Sequence, residues 1–253
     1  MTDHLRGERL DLAAQRLERM FGARSVALVG ASSRPGSVGA VTLEQLIAGG
    51  YTGEVFPVNP RYRELHGRRC FASLADIPDT VDLAVIAVPD TALVEQLELA
   101  AAVGVRAAVV FGGFSAMAGA TGPEADGADA LADRLGQIAR TADMVLCGPN
   151  GMGFVDLERR LRACGYHEPL TRRVGSIAFI SHSGSVFSAM LHNDRGLEFN
   201  LAVSAGQEAA VTAADYLAYA LERETTEVVA LFLETIRDPD TDRNDCLSVD
   251  CTF

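Results

Sequence analysis

Short apolar runs alternating with longer alanine- and leucine-rich stretches set the pattern of most of this chain. From Ser25 the runs are SVALVG, EVFPVN, DLAVIAVP, RAAVVFGG and DMVLCGPN. Runs of this length that carry no polar face predict strands of a parallel sheet covered by helices on both sides. Val41–Ala48, Thr91–Val103 and Glu124–Arg140 are long enough to be the crossover helices. Ahead of them Leu5, Leu10, Leu12, Leu17, Met20 and Phe21 recur at roughly helical spacing, so residues 1–22 are expected to form an amphipathic helix that packs and does no chemistry.

The first α/β unit is expected over residues 23–150. Residues 151–173 are charged and irregular and read as a linker or surface excursion. A second alternation follows over 174–238, with VGSIAFI, NLAVSA and EVVALFLE as strands and Ser185–Arg195 and Ala209–Arg223 as helices. Three strands and two helices make about half of an open sheet, so this second unit is expected to be partial. The tail 239–253 is polar and shows neither period.

Composition narrows the chemistry. All 22 cationic residues are arginine, so phosphate binding of the Walker type and Schiff-base catalysis, which need a lysine amine, are excluded. A formal charge of −12 argues against nucleic acid as the main partner. No apolar run reaches the roughly 18 residues of a membrane span, and the N-terminus does not resemble a secretory signal, so a cytoplasmic protein is expected. The five cysteines are scattered without CxxC spacing, which indicates neither a disulfide framework nor a zinc site.

Immediately after the first strand comes VGASSRPGSVGA, with Gly30, Gly36 and Gly39 ahead of a helix. Glycines let backbone amides approach a pyrophosphate, and a helix N-terminus adds positive potential and unpaired N–H groups. A strand-to-helix turn alone needs fewer glycines, and Ser32 and Ser33 add hydroxyls, so this is a candidate phosphate-binding loop. Its glycines are spaced more widely than GxGxxG. The second strand ends in Asn59 and Pro60, where a nicotinamide-dinucleotide site has an acidic residue for the ribose. Arg34, Arg61 and Arg63 suit a nucleotide with an additional ribose phosphate, or else are solvated surface.

The segments VALVGASSRPGSVG, VFPVNPRYRELHG, DLAVIAVP, CGPNGMG and ISHSGSVFSAML together resemble the NDP-forming acyl-CoA synthetases, relatives of the succinyl-CoA ligase alpha subunit, from about Leu17 to Pro239. The resemblance implies a Rossmann-like CoA-binding domain with a parallel sheet, followed by a partial flavodoxin-like ligase domain. It implies a reaction of acid, CoA and nucleoside triphosphate through an acyl phosphate and a phosphohistidine. ATP and ADP would be held by an ATP-grasp module that 253 residues cannot also accommodate. The CoA loop would be Gly30, Ala31, Ser32, Ser33, Gly36, Val38 and Gly39, with further contacts at Asn59, Arg61, Val88, Pro89 and Phe111. Asn150, in the GPN turn, would lie toward the thiol, or would be an ordinary turn residue. Ser183, Gly184 and Ser185 would receive the phosphate of the phosphohistidine, and Glu234 would orient that histidine.

His182 stands between the serines and invites a catalytic role, but a hydrogen-bonded turn residue is the plainer expectation; the remaining histidines show no metal-ligand spacing. The chain is therefore expected to be the CoA-binding portion of such a synthetase, binding CoA or acyl-CoA and inactive alone, with an ATP-grasp subunit or a second copy as partner. The alternatives are a free-standing CoA-binding regulatory module and, disfavoured by Asn59, an NAD(P)-dependent oxidoreductase.

Overall fold

The computed structural model describes residues 3–112, 123–168 and 173–236, with backbone alone for 3–11, 123–126 and 128. Two sheets organise it. The first is built from β1 (Ser25–Val29), β2 (Glu54–Val58), β5 (Leu83–Ile86), β6 (Ala107–Val110) and β7 (Val145–Cys147), in the spatial order β2-β1-β5-β6-β7. All its pairings are parallel. The chain goes from β1 to one side at β2, then crosses to β5 on the other side of β1. The carboxyl ends of β1 and β5 therefore splay around a crevice, the place where open sheets of this kind bind ligands. A short hairpin, β3 (Glu64–Leu65) and β4 (Arg68–Arg69), follows β2.

The second sheet has the order β12-β10-β11-β8-β9. Its parallel part is β10 (Ile177–Ser181), β11 (Phe199–Ser204) and β12 (Val228–Phe232), as the sequence pattern anticipates. The other two strands, β8 (Gly153–Asp156) and β9 (Leu161–Cys164), pair antiparallel and come from the stretch expected to be a linker. That expectation is corrected: residues 151–173 contribute two of five strands. The physical reason is that both strands are wholly buried and the Asp156 carboxylate is neutralised inside, while the charges of the turn between them, Arg159 and Arg160, stay exposed. Asp156 is fully buried against the Arg223 guanidinium at 2.7 Å. The sheet is accordingly fuller than the partial unit expected from three strands.

Side chains alternate between the faces of both sheets, and each face finds helices. Helices α1 (Asp3–Phe21), α2 (Val38–Ala48) and α6 (Ala213–Leu221) fill the space between the sheets. Their buried residues, including Leu17, Phe21, Leu43 and Tyr216, form one continuous core with Val26 and Leu28 of β1 and Phe154 of β8. Phe21 packs edge-on against Phe154, with centroids 4.8 Å apart. The packing face expected of the lead-in helix is seen in buried Leu17, Met20 and Phe21; Leu12, expected on that face, is exposed instead, and the side chains of Leu5 and Leu10 lie outside the described residues. Helices α3 (Asp90–Ala102) and α4 (Pro123–Thr141) cover the outer face of the first sheet, and α5 (Gly184–Leu191) covers that of the second. The tail 239–253 lies outside the described residues.

Candidate functional site

The crevice is walled by the loop from Gly30 to Ser37. Gly30 has φ +87, and a side chain there would run into the Ala87 carbonyl of the neighbouring strand end. Only glycine lets β1 and β5 turn away so closely. The loop is tied internally: the Arg34 amide donates to Ser32 Oγ at 2.9 Å, and the Ser37 hydroxyl donates to the Arg34 carbonyl at 2.8 Å. Ser37 then caps α2, accepting from the Ala40 amide at 3.3 Å. Gly39 is a packing glycine, since its missing Cβ is what allows the first turn of α2 to rest on the Gly30 carbonyl. Gly36, at φ +74 with open space around it, serves the exposed tip. The three glycines thus have three different jobs.

The starts of α2 and α3 both face the crevice, and α3 begins at Asp90 without a side-chain cap at Pro89. Two helix N-termini converging on one space favour an anion there. The cavity they border measures about 870 Å³, within the range of sites for cofactor-sized ligands. Of the residues the sequence singled out, Gly30, Ser32, Val38, Gly39, Asn59, Arg61, Val88, Pro89 and Phe111 line it. Ala31 is buried behind the wall, and its carbonyl accepts from the Asn59 side-chain amide at 2.8 Å. The other end of that side chain accepts from the Arg61 amide at 3.0 Å. Asn59 therefore locks the Gly30–Ser37 loop to the end of β2, a structural task in addition to its place in the wall.

Asn150 lies just past the cavity. It has φ 57, and its amide donates to the Gly112 carbonyl at 2.6 Å, directly beneath the end of the cavity formed by Phe111 and Gly112. The Phe111 ring continues toward the second sheet, where Gly153 and Gly165 leave room for it. The tail end of the crevice is thus the place where the two sheets meet.

Tyr62 was not singled out by the sequence. It lines the cavity, and hydrogen bonding to Ser33, then to Ser32, holds its phenol below the ordinary tyrosine range, with Arg61 acting in the same direction. Its place in NPRYR, three residues beyond Asn59, is the signal that could have found it. Gln96 and Glu95 on α3 also line the cavity, and only the fold brings that turn of helix to the site.

A second cluster sits at the carboxyl ends of β10 and β12. Ser183 caps α5, accepting from the Val186 amide at 3.4 Å, and the Ser181 hydroxyl donates to the Ser183 carbonyl at 2.9 Å. Gly184 and Ser185 open the helix. Glu234 follows β12 and reaches the same turn, its amide donating to His182 Nδ1 at 3.2 Å. The four residues named for the phosphate turn are therefore brought together. His182 itself is 7% exposed, with both ring nitrogens engaged, in keeping with a hydrogen-bonded turn residue.

Among the described residues no group of three or more metal-ligating side chains occurs, and no helix is long and apolar enough to cross a membrane. Cys70, Cys147 and Cys164 are buried free thiols; burial pushes Cys147 up to about 11 and Cys164 up to about 12. Cys246 and Cys251 lie outside the described residues.

A family model described as a CoA binding domain matches residues 24–156, and one described as the succinyl-CoA ligase like flavodoxin domain matches residues 174–242. The chain is 32% identical over 231 residues to a trans-feruloyl-CoA synthase from an unidentified prokaryote, across 89% of this chain and 32% of that protein. It is 32% identical over 229 residues to the alpha subunit of acetate–CoA ligase (ADP-forming) I of Pyrococcus furiosus, across 88% of this chain and 48% of that subunit. A solved structure, acetyl-coenzyme A synthetase 1 of Ca. Korarchaeum cryptofilum in complex with phosphate and ADP, superposes with a TM-score of 0.81 at 30% identity, covering 91% of this chain and 48% of that one. The chain thus spans about a third to a half of the length of these relatives.

Proposed function

Because the chain belongs to the CoA-binding domain family, we propose that it is the CoA-binding portion of an NDP-forming acyl-CoA synthetase, working in the cytoplasm with a nucleotide-binding module of the ATP-grasp kind. One observation carries this reading: a crevice of about 870 Å³ at the point where the strand order reverses, walled by the Gly30–Gly39 loop and faced by two helix N-termini. The pyrophosphate of CoA is assigned to the amides of that loop, with Ser32 and Ser33 beside it. The ribose phosphate is assigned to Arg61 and Arg34 at the mouth, where a guanidinium can hold it bidentately. The pantetheine arm then passes Val88 and Pro89 toward Phe111 and Asn150. That path delivers the thiol to the junction of the two sheets.

In the second sheet, the amides of Ser183, Gly184 and Ser185 at the start of α5 are assigned the phosphate of a phosphohistidine, and Glu234 the carboxylate that fixes that histidine's tautomer. In this scheme the chain's own residues bind and orient, and the nucleotide chemistry is supplied by the partner module. The sheet edge supports a partner over a free-standing regulatory module: Val228, Leu231 and Phe232 of β12 are exposed large apolar residues on an edge strand. Edges of that kind are normally covered.

The test compares CoA, dephospho-CoA, NAD and NADP by thermal shift. A ligand at 100 times its dissociation constant stabilises by about 2.7 kcal/mol, so CoA should raise the midpoint most. An equal rise with NAD or NADP, or none with CoA, would overturn the assignment.

A further inference from the structure

The second cluster contains a buried ionisable pair that the proposed chemistry does not use. His182 Nε2 lies 2.8 Å from Glu208 Oε1, and their side chains are 5% and 2% exposed. Burying two such groups is costly unless the geometry is well satisfied, and apolar side chains would fill the same space more cheaply. Glu208 also holds a left-handed backbone conformation, φ 54, which a non-glycine residue adopts at a cost. Neither feature is needed to close the core.

Hydrogen bonding decides what the pair does. The Glu234 amide can only donate, so His182 Nδ1 accepts and carries no proton. The imidazole is therefore the Nε2–H tautomer, and Nε2 donates to the Glu208 carboxylate. The backbone of His182 adds a third tie, its amide donating to the Phe232 carbonyl at 3.0 Å. The loop bearing Glu208 is anchored in turn: the Gln207 amide donates to the Pro149 carbonyl at 2.9 Å, and Gly206 packs on the Asn150 backbone. One imidazole thus joins the Ser183 turn, the exit of β12 at Glu234, and a loop seated on the floor of the CoA crevice.

We propose that His182 is a positioning residue, held in one tautomer by Glu208, that fixes the backbone of Glu234 against the Ser183–Gly184–Ser185 turn. The proposal deepens the reading above and rests on it for the role of that turn. A glutamine at position 182 can accept from the Glu234 amide with its oxygen and donate with its amide. A leucine can do neither.

The experiment uses the 253-residue chain with His182→Gln and His182→Leu variants, each shown to be folded by its circular dichroism spectrum and a cooperative thermal melt. Long-range ¹⁵N NMR of the parent should show His182 protonated at Nε2 alone. Hydrogen exchange at the Glu234 amide should be slow in the parent and in His182→Gln, and about tenfold or more faster in His182→Leu, the worth of one lost hydrogen bond. Titration with inorganic phosphate should shift the amides of Ser183–Ser185 in the parent, with affinity reduced several-fold in His182→Leu and restored in His182→Gln. A proton on Nδ1, or Glu234 exchange equally slow in His182→Leu, would overturn the proposal. Should phosphate leave the parent's Ser183–Ser185 amides unmoved, the phosphate-turn reading falls, while tautomer and exchange still decide whether His182 holds Glu234. If His182→Leu does not fold, the parent's tautomer makes the same decision: a proton on Nε2 alone supports the proposal and one on Nδ1 overturns it.

Discussion

The junction of the Gly30–Ser37 loop with α2 offers a perturbation whose two versions must behave differently. Gly36 and Gly39 are only three residues apart, one in the loop and one in the first turn of α2, and the structure gives them unrelated reasons to be glycine. At Gly36 an added methyl group meets nothing within 4 Å, and the difficulty is only the backbone, φ +74. An alanine there costs roughly 1–2 kcal/mol to hold left-handed. Ser33–Gly36 is exposed and held by a few local hydrogen bonds, so the free protein can relax the loop and escape the penalty. The cost then appears on binding, and Gly36→Ala should weaken CoA by about 5- to 30-fold with the melting temperature nearly unchanged. At Gly39 the φ is ordinary for a helix, but an added methyl group collides with the Gly30 carbonyl, a backbone atom that cannot swing aside. Gly39→Ala should therefore lose about 1–3 kcal/mol of stability, about 2–4 °C in melting temperature for each kcal/mol. Calorimetric titration with CoA and a thermal melt on each variant separate the two. CoA affinity unchanged in Gly36→Ala, or a parental melting temperature in Gly39→Ala, would refute the reasoning.

Three further outcomes are expected. If Arg61 holds the ribose phosphate, CoA binds more tightly than dephospho-CoA and Arg61→Ala removes most of that difference; equal affinities in the parent would rule the contact out. The Cys147 and Cys164 thiols, raised by burial from 9.0 to about 11 and about 12, keep their protons in the folded state while the unfolded chain loses them above pH 9. The unfolded state then binds fewer protons, so stability is full below pH 9 and falls as pH rises toward 11 and 12, by up to about 1.4 kcal/mol per pH unit for each thiol. Urea midpoints measured across that range should fall less steeply in Cys164→Ala. Arg223→Met leaves the Asp156 carboxylate buried and unpaired, and should cost about 3–5 kcal/mol, read as a lower urea midpoint with CoA affinity retained in the folded protein.

The parallel strands were legible because their residues are apolar on both faces, and the helices because alanine and leucine recur between them. The Gly30–Ser37 turn was legible because glycines at a strand-to-helix junction serve a backbone purpose visible without coordinates. Residues 151–173 were not, since a charged segment reads as solvated until its partners are known. Arg223 lies 67 positions from Asp156, and no local pattern reveals that the two neutralise each other. The same holds at the sites. Gly30, Asn59 and Val88 stand at strand ends, and strand ends can be counted along the chain. The role of Asn59 as a clasp on Ala31, the reach of Gln96 into the crevice, and the seating of Asn150 under Gly112 all depend on which strand ends are neighbours. His182 shows the division most clearly. Its place in the SHSG turn was read from the sequence, but its tautomer and its hold on Glu234 come from groups 26 and 52 residues away. Local periodicity and loop chemistry are properties of neighbours in sequence, and determined the architecture. Charge neutralisation and side-chain orientation are properties of neighbours in space, and only the packed sheets decided them.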